Sequence, residues 1–408
     1  MRIEIVTIGD EILTGKTTNT NVHFLSRELS LAGHTIVRHT TLPDDPHLLE
    51  LGLKEALDRS SLVIATGGLG PTIDDHTRNV AAKLFHSPFR YDETIAADLE
   101  RRFGKTLASL KDQATVPAKA KLLLNRVGTA PGFYFSSEGK GLILMPGVPV
   151  EMEVMFKEQA LPLLILPETA HLAVLHFFSL IENQADPLLR ELKAAHPELD
   201  LGIYPGHGVL TVTIKAPTQK LLQFAREKVS SAFSQYLFSS ASGKIEEEVH
   251  RTMIARKKTL ALAESCTGGM MAAHLTAIPG ASEYFLGSVV AYSNGLKQTL
   301  LHVSERTLKE HGAVSKETVE AMLAGLFKVT AADFGIAVSG IAGPSGGTPA
   351  KPVGTVWAAM GERGKPLHVF PLQARGNRQT ILLTATNVLL GTFLFSLRSF
   401  PLDIEPGH

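Results

Sequence analysis

The sequence predicts an α/β protein: two α/β domains with mostly parallel sheets, joined by a small α+β module. Three observations carry this. Apolar, β-branched runs alternate with stretches whose leucines recur at helical spacing, in both the first and the last third of the chain. Glycine-bearing segments follow directly on several of the apolar runs, as turns from strand to helix require. The chain has 408 residues, which predicts roughly two to four domains.

The elements follow in order. In the first domain, residues 1–169, Arg2–Ile8 reads as a strand ending at Gly9, and Asn21–Ser30 as a helix. Next come strand His34–His39, helix Pro46–Asp58, the short buried strand Leu62–Ala65 and helix His76–Phe85. Gly141–Met145 is a further strand, and Pro149–Phe156 starts a helix. Residues 170–243 read as the α+β module, with strands His171–Ser179 and Val209–Ala216 and helices Pro187–Ala195 and Gln219–Leu237. Its Pro205-Gly206-His207-Gly208 is most simply a tight turn between strands. A nucleic-acid clamp of the KH type would need that glycine loop between helices. Residues 244–408 open with the charged helix Ile245–Arg256 and strand Thr259–Ala263. A helix from Thr267, strand Phe285–Tyr292 and helices from Gly295 and Lys316 follow. Strands Phe334–Ser339, Gly354–Met360 and Leu367–Leu372 precede a C-terminal helix from about Arg378.

Acidic and basic residues balance at 40 each, so no global field draws nucleic acid or an anionic membrane. The one cysteine, Cys266, excludes an intrachain disulfide and suggests a reducing compartment. The N-terminus reads as a strand carrying Glu4, not as a signal peptide. No uninterrupted apolar run reaches the roughly 18 residues of a membrane span. The expectation is a cytoplasmic protein without membrane or nucleic-acid partners.

Three loops of the first domain each follow a strand: Gly9-Asp10-Glu11, Thr66-Gly67-Gly68-Leu69-Gly70-Pro71-Thr72-Ile73-Asp74-Asp75, and Met145-Pro146-Gly147-Val148-Pro149. The first stretch ends in Gly15-Lys16-Thr17 but is no P-loop, since five residues separate Gly9 from that triplet where the motif has four. In a parallel sheet the three loops converge at the carboxyl ends of the strands, where ligands bind. Gly67, Gly68, Gly70, Pro146 and Gly147 would let backbone approach a ligand closely. Asp10, Glu11, Asp74 and Asp75 together call for a shared cation, and a Mg²⁺-like ion assisting attack on a pyrophosphate fits them. Simple helix capping by Asp74 or Asp75 is the competing reading.

In the last domain, Leu260–Thr276 is a strand breaking into a helix, with Ser265 at the break. Thr267, Gly268 and Gly269 offer backbone N–H groups beside that hydroxyl, as a nucleophile with oxyanion donors requires. On this motif alone, helix capping is the better reading of Ser265. Lys297, one turn into the helix after Tyr292-Ser293-Asn294, tips the balance toward a Ser–Lys pair, since a desolvated lysine can activate a serine. The loop Gly340–Trp357, with Gly340, Gly343, Gly346, Gly347 and Lys351, suits a phosphate or ribose. Cys266 points opposite to Ser265 and has no adjacent histidine, so it reads as packing.

The decapeptide Thr66–Asp75, the preceding Ile8–Lys16, Gly128–Phe133 and Met145–Met152 resemble the N-terminal domain of the CinA family. That domain is similar to the molybdopterin-binding fold of the MoaB/MogA type. The resemblance implies ADP-ribose pyrophosphatase activity dependent on a divalent metal and potassium. The stretches around Ser265, Lys297 and Gly340 resemble the CinA C-terminal domain, which is similar to nicotinamide mononucleotide amidases of the PncC type. By that resemblance Ser265 attacks the carboxamide carbon, Lys297 is the base, and Tyr292 and Gly340–Gly347 hold the nucleotide. Arg378 and the helix-start amides would meet its phosphate, and no cofactor serves this domain. Ammonia and nicotinate mononucleotide would be the products. A homodimer is implied as well. The chain departs from the family pattern at Asn19, Ser339, Ala350, Asn377 and Leu382, and at Leu180-Ile181-Glu182-Asn183 in the middle module. The alternative is a non-catalytic pterin- or nucleotide-binding protein with a degenerate amidase domain.

Overall fold

The computed structural model describes residues 2–72, 75–104, 107–164, 171–239 and 242–398, in two compact units, Met1–Leu172 and Ala173–His408. The first unit is built on a six-stranded sheet. Its strands are β1 (Arg2–Ile8), β2 (Thr35–Leu42), β3 (Leu62–Thr66), β6 (Lys121–Leu123), β7 (Gly132–Ser137) and β8 (Lys140–Met145). β4 (Phe89–Tyr91) and β5 (Thr115–Pro117) pair separately. The order is β2-β1-β3-β8-β7-β6, parallel through β8 and antiparallel beyond it. After β1 the chain adds β2 on one side and β3 on the other, so the strand order reverses at β1.

The alternation of β1 explains why it is buried on both faces. Ile3 and Ile5 join the core under helices Thr20–Leu31 and Pro149–Met155. Val6 and Ile8 join the opposite core under helices Pro46–Arg59 and Thr77–Leu84. A run of apolar residues is what a parallel central strand between two helical layers needs. Glu4 is the exception, fully buried among them. Arg59 grips it with two bonds of 2.8 and 2.7 Å and Thr40 donates a third at 2.7 Å. Burial pushes this carboxyl up, but those donors outweigh burial and hold it below its usual range.

The second unit holds two sheets. β9 (His171–Phe178), β10 (Asp200–Gly206), β11 (Val209–Ala216) and β12 (Leu237–Ser239) lie in the order β10-β11-β9-β12. Helices Glu182–Ala195 and Gln219–Ala232 share their core. The first helix begins five residues before Pro187, where the sequence suggested its start. β10 and β11 form an antiparallel hairpin through His207 and Gly208, both at positive φ, as a two-residue hairpin turn demands. The other sheet has β13 (Leu260–Glu264), β14 (Phe285–Val290), β15 (Phe334–Gly340), β16 (Thr355–Glu362) and β17 (His368–Gln373), ordered β14-β13-β15-β16-β17. β13 is parallel to both neighbours, while β16 and β17 run antiparallel. From β13 the chain again goes first to one side and then to the other.

Helix Arg378–Leu397 covers this sheet. Its mean hydropathy of 1.7 over a 20-residue length makes it the one described helix long and apolar enough to cross a membrane. Threonine and asparagine side chains interrupt its apolar run, so the sequence scan for an uninterrupted stretch passed over it. Here it is a core helix, with Leu389, Leu390, Phe393 and Leu394 packed against Phe334, Met360 and Val249.

Candidate functional site

The carboxyl ends of β13, β14 and β15 bring Ser265, Lys297 and the Gly340 loop to one rim. Ser265 continues β13, its N–H bonded to Val338 O at 3.0 Å. Helix Asn294–Leu301 is capped by Ser293, which accepts from Leu296 N–H at 3.2 Å, and this turns Lys297 inward. The Lys297 Nζ donates to Ser265 Oγ at 2.8 Å, to Ala291 O at 2.9 Å and to Tyr292 O at 3.3 Å. The lysine is 1% exposed and the serine 6%. No carboxylate lies within ion-pair distance of this amine among the described residues. Burial therefore pulls the Lys297 ammonium below its ordinary range; a Cys266 thiolate would oppose this. Burial holds that thiol up at about 12, so it stays neutral. The result is an uncompensated buried amine within reach of a hydroxyl, the arrangement a lysine base needs.

The oxyanion donors differ from the sequence expectation. Gly269 N–H is spent on Glu264 Oε2 at 3.0 Å, and Gly268 N–H on Ser265 O at 3.1 Å. The helix starts only at Met270, whose N–H goes to Thr267 O, and its next two amides go to Glu264. Neither these two glycines nor this helix start has donors to offer a ligand. The N–H groups of Cys266 and Thr267, next after Ser265 in the chain, lie at the Cys266 sulfur, where they oppose the larger effect of burial on its thiol. The sequence reading passed over Glu264 because it ends a buried strand of otherwise apolar residues.

Arg378 ties the rim together. Its Nη2 donates to the Tyr292 hydroxyl at 2.9 Å and its Nη1 to Gly343 O at 2.8 Å. Gly340 packs beside the Cys266 sulfur, Gly343 and Gly347 both lie against Val353, and Gly346 is exposed at positive φ. Lys351 does not face a ligand. Its Nζ donates to His311 O at 2.9 Å and Val314 O at 2.7 Å, strapping the loop to a neighbouring turn. Asn377 caps the last helix through Thr380 N–H at 2.9 Å, and Leu382 packs in a small apolar cluster with Ala342 and Val353. Ser339 donates to Ala313 O at 2.6 Å.

In the first unit the ends of β1, β3 and β8 also meet. Gly67 N–H bonds Met145 O at 3.1 Å, and a Cβ on Gly147 would come within 3.3 Å of the Gly67 Cα. A Cβ on Gly67, at φ 109°, would strike the Ile8 carbonyl, so only glycine fits there. Pro146 lies between Met145 and Gly147 on the same rim, and Gly70 packs against the Asp75 carboxylate. Asp75 accepts from Thr72 N–H at 3.0 Å and from the Thr72 hydroxyl, so it holds its own turn and does not cap the next helix. Asn19 caps helix Thr20–Leu31, and Asn21 ties in the third loop by donating to Gly147 O at 2.8 Å.

Asp74 lies outside the described residues. Asp44, just beyond β2, was not anticipated: its Oδ2 accepts from Asp10 N–H at 3.0 Å. Burial pushes the Asp44 carboxyl up, and the charges of Asp10, Glu11 and Asp75 push it further. That names a cluster of like charge on this rim. Among the described residues, no group of three or more His, Cys, Asp or Glu side chains is arranged to hold a metal ion. An ion here would need oxygens from a ligand or from Asp74 as well.

Comparisons with known proteins find relatives for both parts of the chain. The family model described as "CinA C-terminal domain" matches residues 242–395, and that described as "Probable molybdopterin binding domain" matches residues 4–165. A "CinA-like protein" of Thermotoga neapolitana is 40% identical over 384 residues, 92% of this chain and 93% of its own. Another, from Gemmatimonas aurantiaca, is 38% identical over 407 residues, covering 96% and 95%. A solved structure of the competence damage-inducible protein A of Klebsiella pneumoniae is 37% identical over 38% of this chain and 97% of its own, with a TM-score of 0.37.

Proposed function

This chain belongs to the CinA family, and from that premise we propose that its second unit is a serine amidase acting on nicotinamide mononucleotide. The 2.8 Å contact between the buried Lys297 amine and Ser265 Oγ carries the proposal. The neutral amine takes the hydroxyl proton as Oγ attacks the carboxamide carbon. The oxygen that gains charge would draw the N–H groups of Cys266 and Thr267 away from the Cys266 sulfur. The C–N bond then breaks, and the Lys297 ammonium gives its proton to the departing ammonia. An ester on Ser265 remains. Water, deprotonated by Lys297, opens that ester, and Lys297 returns the proton to Ser265 Oγ as nicotinate mononucleotide leaves. Tyr292 and Arg378 border the rim on the side where the rest of the nucleotide would lie, and the guanidinium suits its phosphate. Ammonia release from nicotinamide mononucleotide tests this. Ser265→Ala should lower kcat by about 10⁴-fold or more; an unchanged rate would remove the serine mechanism.

A second reading concerns the first unit: it binds, and with a divalent metal hydrolyses, an ADP-ribose-like pyrophosphate. The observation that favours it is the clustering of Asp10, Glu11 and Asp75 about Asp44, whose carboxyl burial and then their charges push up. Asp10, Glu11, Asp44, Asp74 and Asp75 would share the ion with phosphate oxygens, with potassium as the monovalent partner. When bound, the metal would neutralise phosphate charge during attack. Gly67, Gly68 and Gly147 would let the pyrophosphate approach backbone. Metal-dependent AMP formation that survives Asp75→Asn and Asp44→Asn unchanged would remove these carboxylates as the metal site, and no AMP formation by wild type would exclude hydrolysis. A homodimer is proposed on the family resemblance alone.

A further inference from the structure

Glu264 is the most deeply buried titratable side chain at the rim that the chemistry above does not use. It is the last residue of β13 and is 0% exposed. No lysine or arginine pairs with it among the described residues. It accepts instead from five neutral donors. Oε2 takes the Thr267 hydroxyl at 2.8 Å, Gly269 N–H at 3.0 Å and Met271 N–H at 3.2 Å. Oε1 takes Ala272 N–H at 3.1 Å and the Ser288 hydroxyl at 3.0 Å.

These donors have a pattern. Four of them come from residues 267–272, the segment directly after Ser265, and one from β14. A carboxylate reaching forward along its own chain in this way folds the segment back over the strand end. It occupies the helix-start amides that a free N-terminus would turn toward an anion. The Cys266 and Thr267 N–H groups, which lie at the Cys266 sulfur, are the amides beside the nucleophile that no described oxygen takes. Through Ser288 it also fixes this turn to β14, whose end carries the Ala291 and Tyr292 carbonyls that hold Lys297.

We propose that Glu264 is a positioning residue for the Ser265 site. It sets which backbone amides face the reacting oxygen and keeps the nucleophile turn in register with the strand that carries the lysine's acceptors. It touches neither substrate nor the reacting atoms. The inference rests on the serine-amidase reading. The Gln variant keeps the size but replaces one acceptor oxygen by an NH₂ facing donors, so one or more of the five bonds must break.

The experiment compares wild type, Glu264→Gln, Glu264→Asp and Ser288→Ala in ammonia release from nicotinamide mononucleotide and in the rate of Ser265 labelling by a fluorophosphonate. Circular dichroism and thermal melting establish the folded fraction. Glu264→Gln is expected to lose about 100-fold in kcat and in labelling rate, with KM within about twofold, as a misplacement of the reacting geometry produces. Glu264→Asp should recover part of both rates. Ser288→Ala, which removes one donor outside the turn, should lose about threefold to tenfold. A folded Glu264→Gln protein with wild-type kcat and labelling would overturn the proposal. So would losses that merely match its unfolded fraction. If Glu264→Gln does not fold, Ser288→Ala decides: unchanged kcat and labelling overturn the proposal, and a fall in both at constant KM supports it. If wild type neither releases ammonia nor labels at Ser265, the serine-amidase reading fails instead, and the positioning role falls with it.

Discussion

The two α/β units solve the same placement problem and load it with opposite charge. In each, the chain reverses direction at a central parallel strand and brings three loops to one rim. The rim of the first unit collects Asp10, Glu11, Asp44 and Asp75. The rim of the second collects Lys297 and Arg378 around Ser265. Each central strand also buries a glutamate, and the two are satisfied differently. Glu4 meets the Arg59 guanidinium, while Glu264 meets only neutral donors. The lesson is that the scaffold supplies convergence, and a few side chains at the strand ends decide which chemical groups meet there.

The comparison can be sharpened by removing one charge at a time. The largest effect is expected from Arg378→Ala. If its guanidinium meets the substrate phosphate, KM should rise about 100-fold with a smaller change in kcat. A loss confined to kcat would instead make Arg378 a brace for Tyr292 and Gly343. Next is Glu4→Gln, which should cost about 2 kcal/mol in chemical denaturation, discounted because Arg59 is partly solvated. The pH dependence has a defined sign. The Glu4 carboxyl is held below its ordinary value in the fold, so its contribution is complete above about pH 4.5 and fades as the pH falls through the folded value. Stability that is flat across that acid range in wild type relative to Glu4→Gln would contradict it.

Asp44→Asn should weaken Mn²⁺ or Mg²⁺ binding to the first unit about tenfold by calorimetry, and tighter binding would break the charge contrast. The smallest effect concerns Cys266. With its thiol held at about 12 by burial, iodoacetamide at pH 8 should leave it unmodified and the amidase rate intact.

The parts of this contrast that the sequence disclosed are those with a local signature. Glycines marked the loops, Ser265 stood where a strand breaks, and Lys297 stood one turn into a helix whose start was readable. Asp44 left no such mark. It follows β2 in a turn without glycine, and its neighbours Asp10 and Asp75 come from distant segments brought close only by the strand order. Glu264 was hidden because a strand reads as apolar whether or not one of its residues turns forward to bind amides. The same carboxylate moved the helix start from Thr267 to Met270 and took Gly269 out of the donor set. Lys351 looked available because its loop is rich in glycine, yet its amine is consumed by carbonyls of a turn far away in sequence.

One measurement reaches the centre of this contrast: ammonia release from nicotinamide mononucleotide by wild type and Lys297→Arg, across pH. A base must lose its proton, and burial brings Lys297 below its ordinary value so that it can. Wild-type kcat/KM should rise with pH along a limb below about pH 10.5, while the arginine variant, which keeps its proton, stays inactive throughout. An arginine variant with the wild-type rate and profile would contradict the lysine base.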